Sequence, residues 1–171
     1  MPQEITKKDP MQASTLIADS EIHFEEPVAL LLPNRQYPDR WSISPEATVY
    51  AAIEQMSQNH AGALVVLSAQ RLDGIISERD YARKVILKGR NSRETRVHEI
   101  MSRSVYYVNP ETSIDECMRL MTSHHVRHLP VLAGERVTGM ISMDDLVNWI
   151  INSHEQTIHH LEGYINGTYP A

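Results

Sequence analysis

Two stretches of the chain show the same pattern of apolar and polar positions, and each predicts a strand, a helix, two strands and a second helix. The first helix of each stretch has apolar residues at positions i, i+3, i+4 and i+7, which is the spacing of one buried helical face. These residues are Val49, Ala52, Ile53 and Met56 in the first stretch and Ile114, Cys117, Met118 and Met121 in the second. Thr48 and Ser113 lie at the predicted N-caps, a position that favours hydroxyl side chains.

Short apolar runs follow each predicted helix and indicate β-hairpins. Residues 63–67 and 72–76 form two such runs in the first stretch, and residues 129–132 and 137–141 form two in the second. Runs of this length that are separated by a few turn residues are typical of paired antiparallel strands. The fold class predicted from this order of elements is α/β.

The two stretches are copies of one unit. Residues 44–81 and 109–146 align without a gap at an offset of 65 residues, and 12 of the 38 paired positions are identical. A repeat of this length is a whole supersecondary unit, and two copies are expected to bury their apolar faces against each other. The identical positions include polar residues that a core does not need, and these direct attention to function.

The repeat divides the chain into four parts. Residues 28–92 are predicted to form repeat one and residues 93–153 repeat two. Residues 1–27 are predicted to be a mobile N-terminal extension, and residues 154–171 the end of a C-terminal helix and a tail. With 171 residues, the chain is long enough for two small units that share one core.

Composition excludes several classes of protein. A formal net charge of −6 argues against a general nucleic-acid binder, and the single cysteine, Cys117, excludes an intramolecular disulfide framework. Because the counterpart of Cys117 in repeat one is Ala52, we interpret it as a small core residue. No apolar run approaches the length needed to cross a bilayer, and no signal peptide is present. These features predict a cytoplasmic protein that does not contact the membrane.

One polar motif occurs in both repeats at the point where a strand leads into a helix. It reads G-h-h-S-x-x-D, where h is apolar, from Gly74 to Asp80 and from Gly139 to Asp145. The first turn of such a helix offers unpaired backbone N–H groups and the positive end of the helix dipole, which suit a phosphate. The serine hydroxyl can donate to a phosphate oxygen, and the aspartate carboxylate can accept from the vicinal hydroxyls of a ribose.

The same spacing has a purely structural interpretation. Serine at the N-cap with aspartate three residues later is a capping box, which stabilises a helix without any ligand. Two copies in register favour a ligand role over capping alone, but both interpretations can hold together.

These residues carry a resemblance to a known family. The tandem repeats, with HVRHLPV in repeat two and GIISERDYARKVILKGR in repeat one, resemble a pair of cystathionine-β-synthase (CBS) domains, a Bateman module. The resemblance covers roughly residues 28–160. It implies two β-α-β-β-α repeats packed with pseudo-twofold symmetry, with clefts between them that bind an adenine nucleotide or another adenosyl ligand, such as AMP, ADP, ATP, NAD(H) or S-adenosylmethionine.

The resemblance also implies site residues, partners and a non-enzymatic role. Asp80 and Asp145 would hold ribose hydroxyls, and Ser77 and Ser142 would contact phosphate. The remaining ligand-binding candidates line the base or phosphate side: Ala61, Gly62, Ala63, Arg79, Arg83, Lys84, Val126, Arg127 and His128. Such modules usually form a homodimer and often regulate an effector, but the effector of this chain cannot be named from its sequence.

The two sites are not expected to be equivalent. Arg79 lies beside Asp80 in repeat one, whereas Asp144 holds that place in repeat two and would repel a phosphate chain. Repeat two has Arg127 where repeat one has Gly62. Our hypothesis is that the first site takes the more highly charged phosphate group.

Two other functions are open alternatives. A structural dimerisation module would use the S-x-x-D motifs as helix caps only. A nucleic-acid-binding CBS protein would use the segment from Arg79 to Arg103, which holds 8 of the 16 lysines and arginines but has little aromatic content for base stacking.

Metal binding and catalysis have weak support. The nine histidines match no zinc signature, and no Cys pair accompanies them. We find no nucleophile elbow, P-loop or Rossmann motif. The sequence therefore predicts no catalytic residue and no metal ligand.

Overall fold

The structure is a computed structural model that describes residues 7–8, 24–32 and 40–153. A short strand, β1 (Lys7–Lys8), and a 3-10 helix over Val28–Leu31 precede the first repeat. The first repeat contains β2 (Ser42–Ile43), α1 (Val49–Asn59), β3 (Ala63–Ser68), β4 (Arg71–Ser77), α2 (Glu78–Lys84) and a 3-10 helix over Ile86–Lys88. The second contains α3 (Val97–Ile100), β5 (Val105–Tyr106), α4 (Ile114–His124), β6 (His128–Ala133), β7 (Arg136–Ser142) and a helix over residues 143–153, here α5. The predicted order of elements is confirmed.

The two repeats share their detailed register as well as their order. Both hairpins, β3–β4 and β6–β7, are antiparallel, and their registers shift at equivalent points, between Val66 and Leu67 and between Val131 and Leu132. The helices α1 and α4 both contain 11 residues and begin at the predicted caps, where Thr48 and Ser113 accept from backbone amides. The 65-residue offset of the sequence is therefore also the offset of the structure.

The repeats meet side by side in one sheet with the strand order β2-β3-β4-β7-β6. One residue pair, Arg71 with Arg136, joins β4 to β7, so the sheet is narrowest where the repeats meet. Side chains from both repeats pack together there in a shared core: Trp41, Val65, Leu72, Val105, Leu132, Val137 and Met140. Apolar packing, more than strand pairing, holds the two hairpins together.

Each repeat is also completed by the segment that precedes the other. The Val28 amide donates to the Thr112 carbonyl at 2.8 Å, and Val28 is buried in the core of repeat two. The Val97 amide donates to the Ala47 carbonyl at 2.9 Å, and Val97 is buried in the core of repeat one. Packing thus crosses the predicted boundary between residues 92 and 93, and the boundaries themselves stay a prediction.

Two predicted segments fall largely beyond the described residues. Of the extension over residues 1–27, the structure describes β1, which pairs in parallel with β5, and residues 24–27. The tail over residues 154–171 lies outside the described residues. Within the described part of the chain, no helix has the length and apolar character that a membrane span requires.

Candidate functional site

A cavity of about 750 Å³ lies between the two repeats and is lined by both of them. Ten of the thirteen predicted ligand-binding residues line it: Ala61, Gly62, Ala63, Ser77, Arg79, Asp80, Val126, Arg127, His128 and Ser142. Arg83, Lys84 and Asp145 do not line it. The fold therefore brings together residues that are up to 81 positions apart in the sequence, since Ala61 and Ser142 line the same space.

The motif of repeat one forms a capping box at the start of α2. The Ser77 hydroxyl accepts from the Asp80 amide at 3.3 Å, and the Asp80 carboxylate accepts from the Ser77 amide at 3.0 Å. The Ser77 hydroxyl also donates to the same carboxylate oxygen, Oδ2, at 2.7 Å. The structural interpretation of S-x-x-D is therefore correct for this repeat, and the same residues face the cavity.

The motif of repeat two is built in the same way at the start of α5. The Ser142 amide and hydroxyl each donate to Oδ2 of Asp145 at 2.6 Å, and the Asp145 amide donates to the Ser142 hydroxyl at 3.2 Å. Ser142 lines the cavity, whereas Asp145 lies behind it. Capping accounts for these hydrogen bonds in both repeats, so a ligand role needs support from the cavity rather than from the motif.

Asp80 has two further partners outside its own capping box. The Lys84 ammonium lies 2.7 Å from Oδ1 of Asp80, and the Ser102 hydroxyl donates to the same oxygen at 3.3 Å. The Lys84 ammonium also donates to the Ile100 carbonyl at 2.6 Å. Lys84, which the sequence predicted in the ligand site, instead connects α2 to the segment that follows α3.

The glycine of the first motif is explained by a close approach of backbone. Ile75 and Ser102 exchange backbone hydrogen bonds of 3.0 and 2.8 Å beside Gly74. A Cβ atom on Gly74 would lie 2.7 Å from the Ser102 carbonyl oxygen, which is closer than a carbon atom can approach. Glycine at this position therefore allows the segment between the repeats to lie against β4.

Several cavity residues were not predicted. Ser102, Ser104, Val105 and Tyr106 line the cavity from a segment that lies outside both repeated stretches, so the comparison of the repeats could not find them. His60 and His125 also line it, and both had been singled out only as matched helix ends. Their identity at paired positions was the signal in the sequence.

The charges that face the cavity come from both repeats. Arg79 and Arg127 supply positive charge, and Glu78, Asp80 and Asp144 supply negative charge. Arg79 and Arg127 are both exposed, so either guanidinium is accessible to an anionic ligand. Such forked donors suit phosphate oxygens.

The basic segment from Arg79 to Arg103 does not form a free cationic surface. The Arg90 guanidinium pairs with Glu99, and the Arg96 side chain donates to the Glu46 carbonyl at 2.9 Å. The Arg96 backbone amide, followed by Arg90, lowers the pKa of the Glu99 carboxyl. Arg93 lies over the Tyr50 ring at 3.7 Å. These contacts within the chain weaken the nucleic-acid alternative.

Metal ligands and reactive thiols are absent from the described part of the chain. Across residues 24–32 and 40–153, no three His, Cys, Asp or Glu side chains are placed to share a metal ion. His154, His159 and His160 lie outside the described residues. Cys117 is buried in the core of repeat two as predicted, and burial raises the pKa of its thiol to about 12.

Comparison with known proteins identifies the two repeats. Residues 32–86 and 97–152 each match the sequence model of the CBS domain. The chain is 42% identical over 127 residues to a mitochondrial CBS domain-containing protein, CBSX3, of Arabidopsis thaliana, a match that covers 71% of this chain and 62% of that protein. It is 32% identical over 112 residues to the CBS domain-containing protein YhcV of Bacillus subtilis, covering 65% of this chain and 79% of the relative.

A solved structure supports the same assignment. The structure of a candidate signal-transduction protein with CBS domains from Burkholderia ambifaria superposes with a TM-score of 0.68 at 46% sequence identity. The match covers 74% of this chain and 95% of that one. Two matched domains, a repeated fold and relatives that carry the same domain pair agree: this chain belongs to the CBS domain family, as a tandem pair.

Proposed function

We propose that the protein is a non-enzymatic sensor that binds an adenine nucleotide or another adenosyl ligand in the cavity between its repeats. The observation that carries the proposal is that one cavity of about 750 Å³ combines two arginines with the Ser77–Asp80 motif and apolar wall residues. This volume lies within the range of small-molecule sites, which are mostly apolar with a few placed polar groups. AMP, ADP, ATP and NAD(H) all have the base, ribose and phosphate that this lining suits.

Each part of the ligand has a matching part of the wall. Arg79 and Arg127 would bind phosphate, and the Asp80 carboxylate would accept from ribose hydroxyls. Ile75, Val105 and the Tyr106 ring offer apolar surface for the base. Asp145, predicted as the second ribose acceptor, would reach a ligand only after the start of α5 moves, since it lies behind the wall.

The proposed signal is a change in the relative orientation of the repeats. Strand pairing joins the two hairpins through Arg71 and Arg136 alone, so their orientation is the least constrained part of the sheet. A ligand that contacts both repeats stabilises the orientation in which both sets of contacts are made. A partner protein would then bind that orientation.

We also propose that the module forms a homodimer through the helices that end each repeat. Ile86 and Ile151 occupy equivalent positions 65 residues apart, and both are more than half exposed. Leu87, with 77% of its surface exposed, and Val147 lie beside them in sequence. Exposed apolar residues that repeat with the internal symmetry of the fold suit a second copy of the chain.

The cellular compartment, predicted as cytoplasmic, stays a prediction. The name of the Arabidopsis relative places that protein in the mitochondrion. The effector is also unassigned, because the matched region spans 62% of that relative and the activity of the whole protein is not contained in the match.

The experiment is a thermal-shift panel of AMP, ADP, ATP, NAD⁺ and adenosine on wild type, Arg79→Ala and Arg83→Ala. A ligand at 100 times its Kd should stabilise the protein by about 2.7 kcal/mol. We expect Arg79→Ala to lose most of the shift given by phosphate-bearing ligands. Arg83→Ala is the matched control, since Arg83 lies on the same helix but outside the cavity. A wild type that no ligand stabilises would favour the structural dimerisation module.

A further inference from the structure

The carboxylate of Asp80 is saturated by partners within the chain. Oδ2 accepts from the Ser77 amide and hydroxyl at 3.0 and 2.7 Å. Oδ1 accepts from the Ser102 hydroxyl at 3.3 Å and lies 2.7 Å from the Lys84 ammonium. An ionised carboxylate has about four lone-pair sites, and four donors occupy them. A ligand hydroxyl that binds Asp80 must therefore displace one of these donors.

The two oxygens differ in how readily they can change partner. The donors to Oδ2 belong to the capping box, which holds the first turn of α2. The donors to Oδ1 come from side chains that the helix start does not need. Asp80 itself is only 9% exposed, whereas 42% of the Lys84 side chain is exposed and can be rehydrated. Oδ1 is thus the oxygen at which a ligand can compete, and Lys84 is its main competitor.

Lys84 also connects the cavity to the segment between the repeats. Its ammonium donates to the Ile100 carbonyl at 2.6 Å and lies 3.5 Å from the Ser102 hydroxyl. Asp80, Lys84 and Ile100 therefore form one chain of contacts from the cavity wall to the end of α3. A ligand that takes Oδ1 removes the charge that holds Lys84 in this position.

The contact belongs to repeat one alone among the described residues. The position equivalent to Lys84, 65 residues later, is Trp149. The Trp149 ring packs edge-on against Phe24, with 5.7 Å between ring centroids. An indole carries no positive charge, so repeat two has no cation at this place to compete for its motif.

We infer that Lys84 is an internal competitor for Asp80, which weakens ligand binding at the first motif and couples its occupancy to the segment over residues 97–104. The inference rests on the proposed function, because it concerns the same cavity. It adds a regulatory contact: binding of a ligand hydroxyl at Asp80 releases Lys84, and release of Lys84 loosens the hold of α2 on the segment between the repeats.

The test compares wild type, Lys84→Met and Lys88→Met by titration calorimetry with adenosine, which has the ribose hydroxyls but no phosphate. We expect Lys84→Met to bind adenosine about three- to tenfold more tightly at one site, because one charged donor no longer has to be displaced. The lower value reflects the exposure of Lys84 to water. Lys88→Met, which removes an exposed lysine outside the cavity, should bind like wild type.

Amide hydrogen exchange provides the second measurement. In wild type, adenosine should speed exchange over residues 97–104, and in Lys84→Met this exchange should already be fast without ligand. If adenosine binds wild type and Lys84→Met with equal affinity, the inference is overturned while the proposed function stands. If neither protein binds any adenine ligand, the proposed function fails and the inference fails with it. Should Lys84→Met not fold, Lys84→Gln removes the same charge and must still tighten adenosine binding.

Discussion

His60 and His125 end α1 and α4 in the same left-handed conformation, with φ angles of 51° and 53°. Each backbone amide donates to the last turn of its helix, His60 to Met56 and Ser57 and His125 to Met121 and Thr122. A left-handed residue at this place ends many helices, and glycine is the usual choice because other side chains are strained there. Histidine at both positions indicates a side chain that is kept at some conformational cost, and both rings line the cavity.

This relationship predicts the effect of changing either cap. His60→Gly should leave the free energy of unfolding unchanged within a few tenths of a kcal/mol or raise it, because glycine adopts positive φ without strain. His60→Val should lower it by about 1–3 kcal/mol, since a β-branched residue is strained at positive φ. Urea unfolding of the unliganded protein measures both changes. Gln58→Val, on the exposed helical surface nearby, is the control and should cost only a few tenths. Equal losses for the two valine variants would show that the conformation of His60 is not what matters.

The buried Cys117 thiol should be chemically inert in the folded protein. Its pKa of about 12 means that almost no thiolate is present at pH 8, and thiolate is the reactive form. We expect no labelling by a thiol reagent in the native state and full labelling after unfolding in guanidinium. Rapid labelling of the native protein at pH 8 would contradict the buried position.

The same thiol predicts a pH dependence of stability. Because the folded pKa is raised, the unfolded chain loses its proton first as pH rises above about 9, and the folded state loses it only near 12. Over this window the folded protein binds more protons, so stability falls with rising pH. Cys117→Ala should reduce this alkaline decline, measured by urea unfolding between pH 8 and 10.5. Alanine suits the position because Ala52 occupies its equivalent in repeat one. An identical decline in the variant would exclude the thiol as its source.

The exposed residues Leu87 and Ile151 predict how the proposed dimer can be separated. Leu87→Glu and Ile151→Glu should each shift the protein toward the monomer, because a charge would be buried at the interface between two copies. Sedimentation velocity over a range of protein concentrations measures the change. Gln70→Glu adds the same charge at an exposed turn and should leave association unaltered. A wild type that sediments as a monomer at all concentrations would remove the basis of the dimer proposal.

The sequence predicted what depends on local pattern and on the repeat. The apolar stripe of α1, the cap at Thr48 and the hairpin after it are set by neighbouring residues, and each is found where the pattern placed it. The repeat then made each element predictable a second time. Cys117 was correctly assigned to the core because its counterpart is a small apolar residue.

What the sequence could not predict depends on contacts between distant segments. Ser102 lines the cavity and bonds to Asp80 from 22 positions away, and it lies in neither repeated stretch. Lys84 has the spacing of a ligand-facing residue on α2, but the carbonyl of Ile100 and the carboxylate of Asp80 draw its ammonium away from the cavity. The packing of Val28 on repeat two is equally invisible in a local pattern, since it is a contact between opposite parts of the chain.

Titration calorimetry of the unliganded wild-type protein with AMP is the measurement that tests the ligand-binding proposal most directly. We predict saturable binding of no more than two molecules per chain, lost or strongly weakened in Arg79→Ala and unchanged in Arg83→Ala. If two molecules bind, their affinities should differ, because Arg79 and Asp144 give the two motifs opposite charge. No heat of binding from AMP, ADP, ATP or NAD⁺ at millimolar concentration would contradict the proposal that this cavity binds an adenine nucleotide.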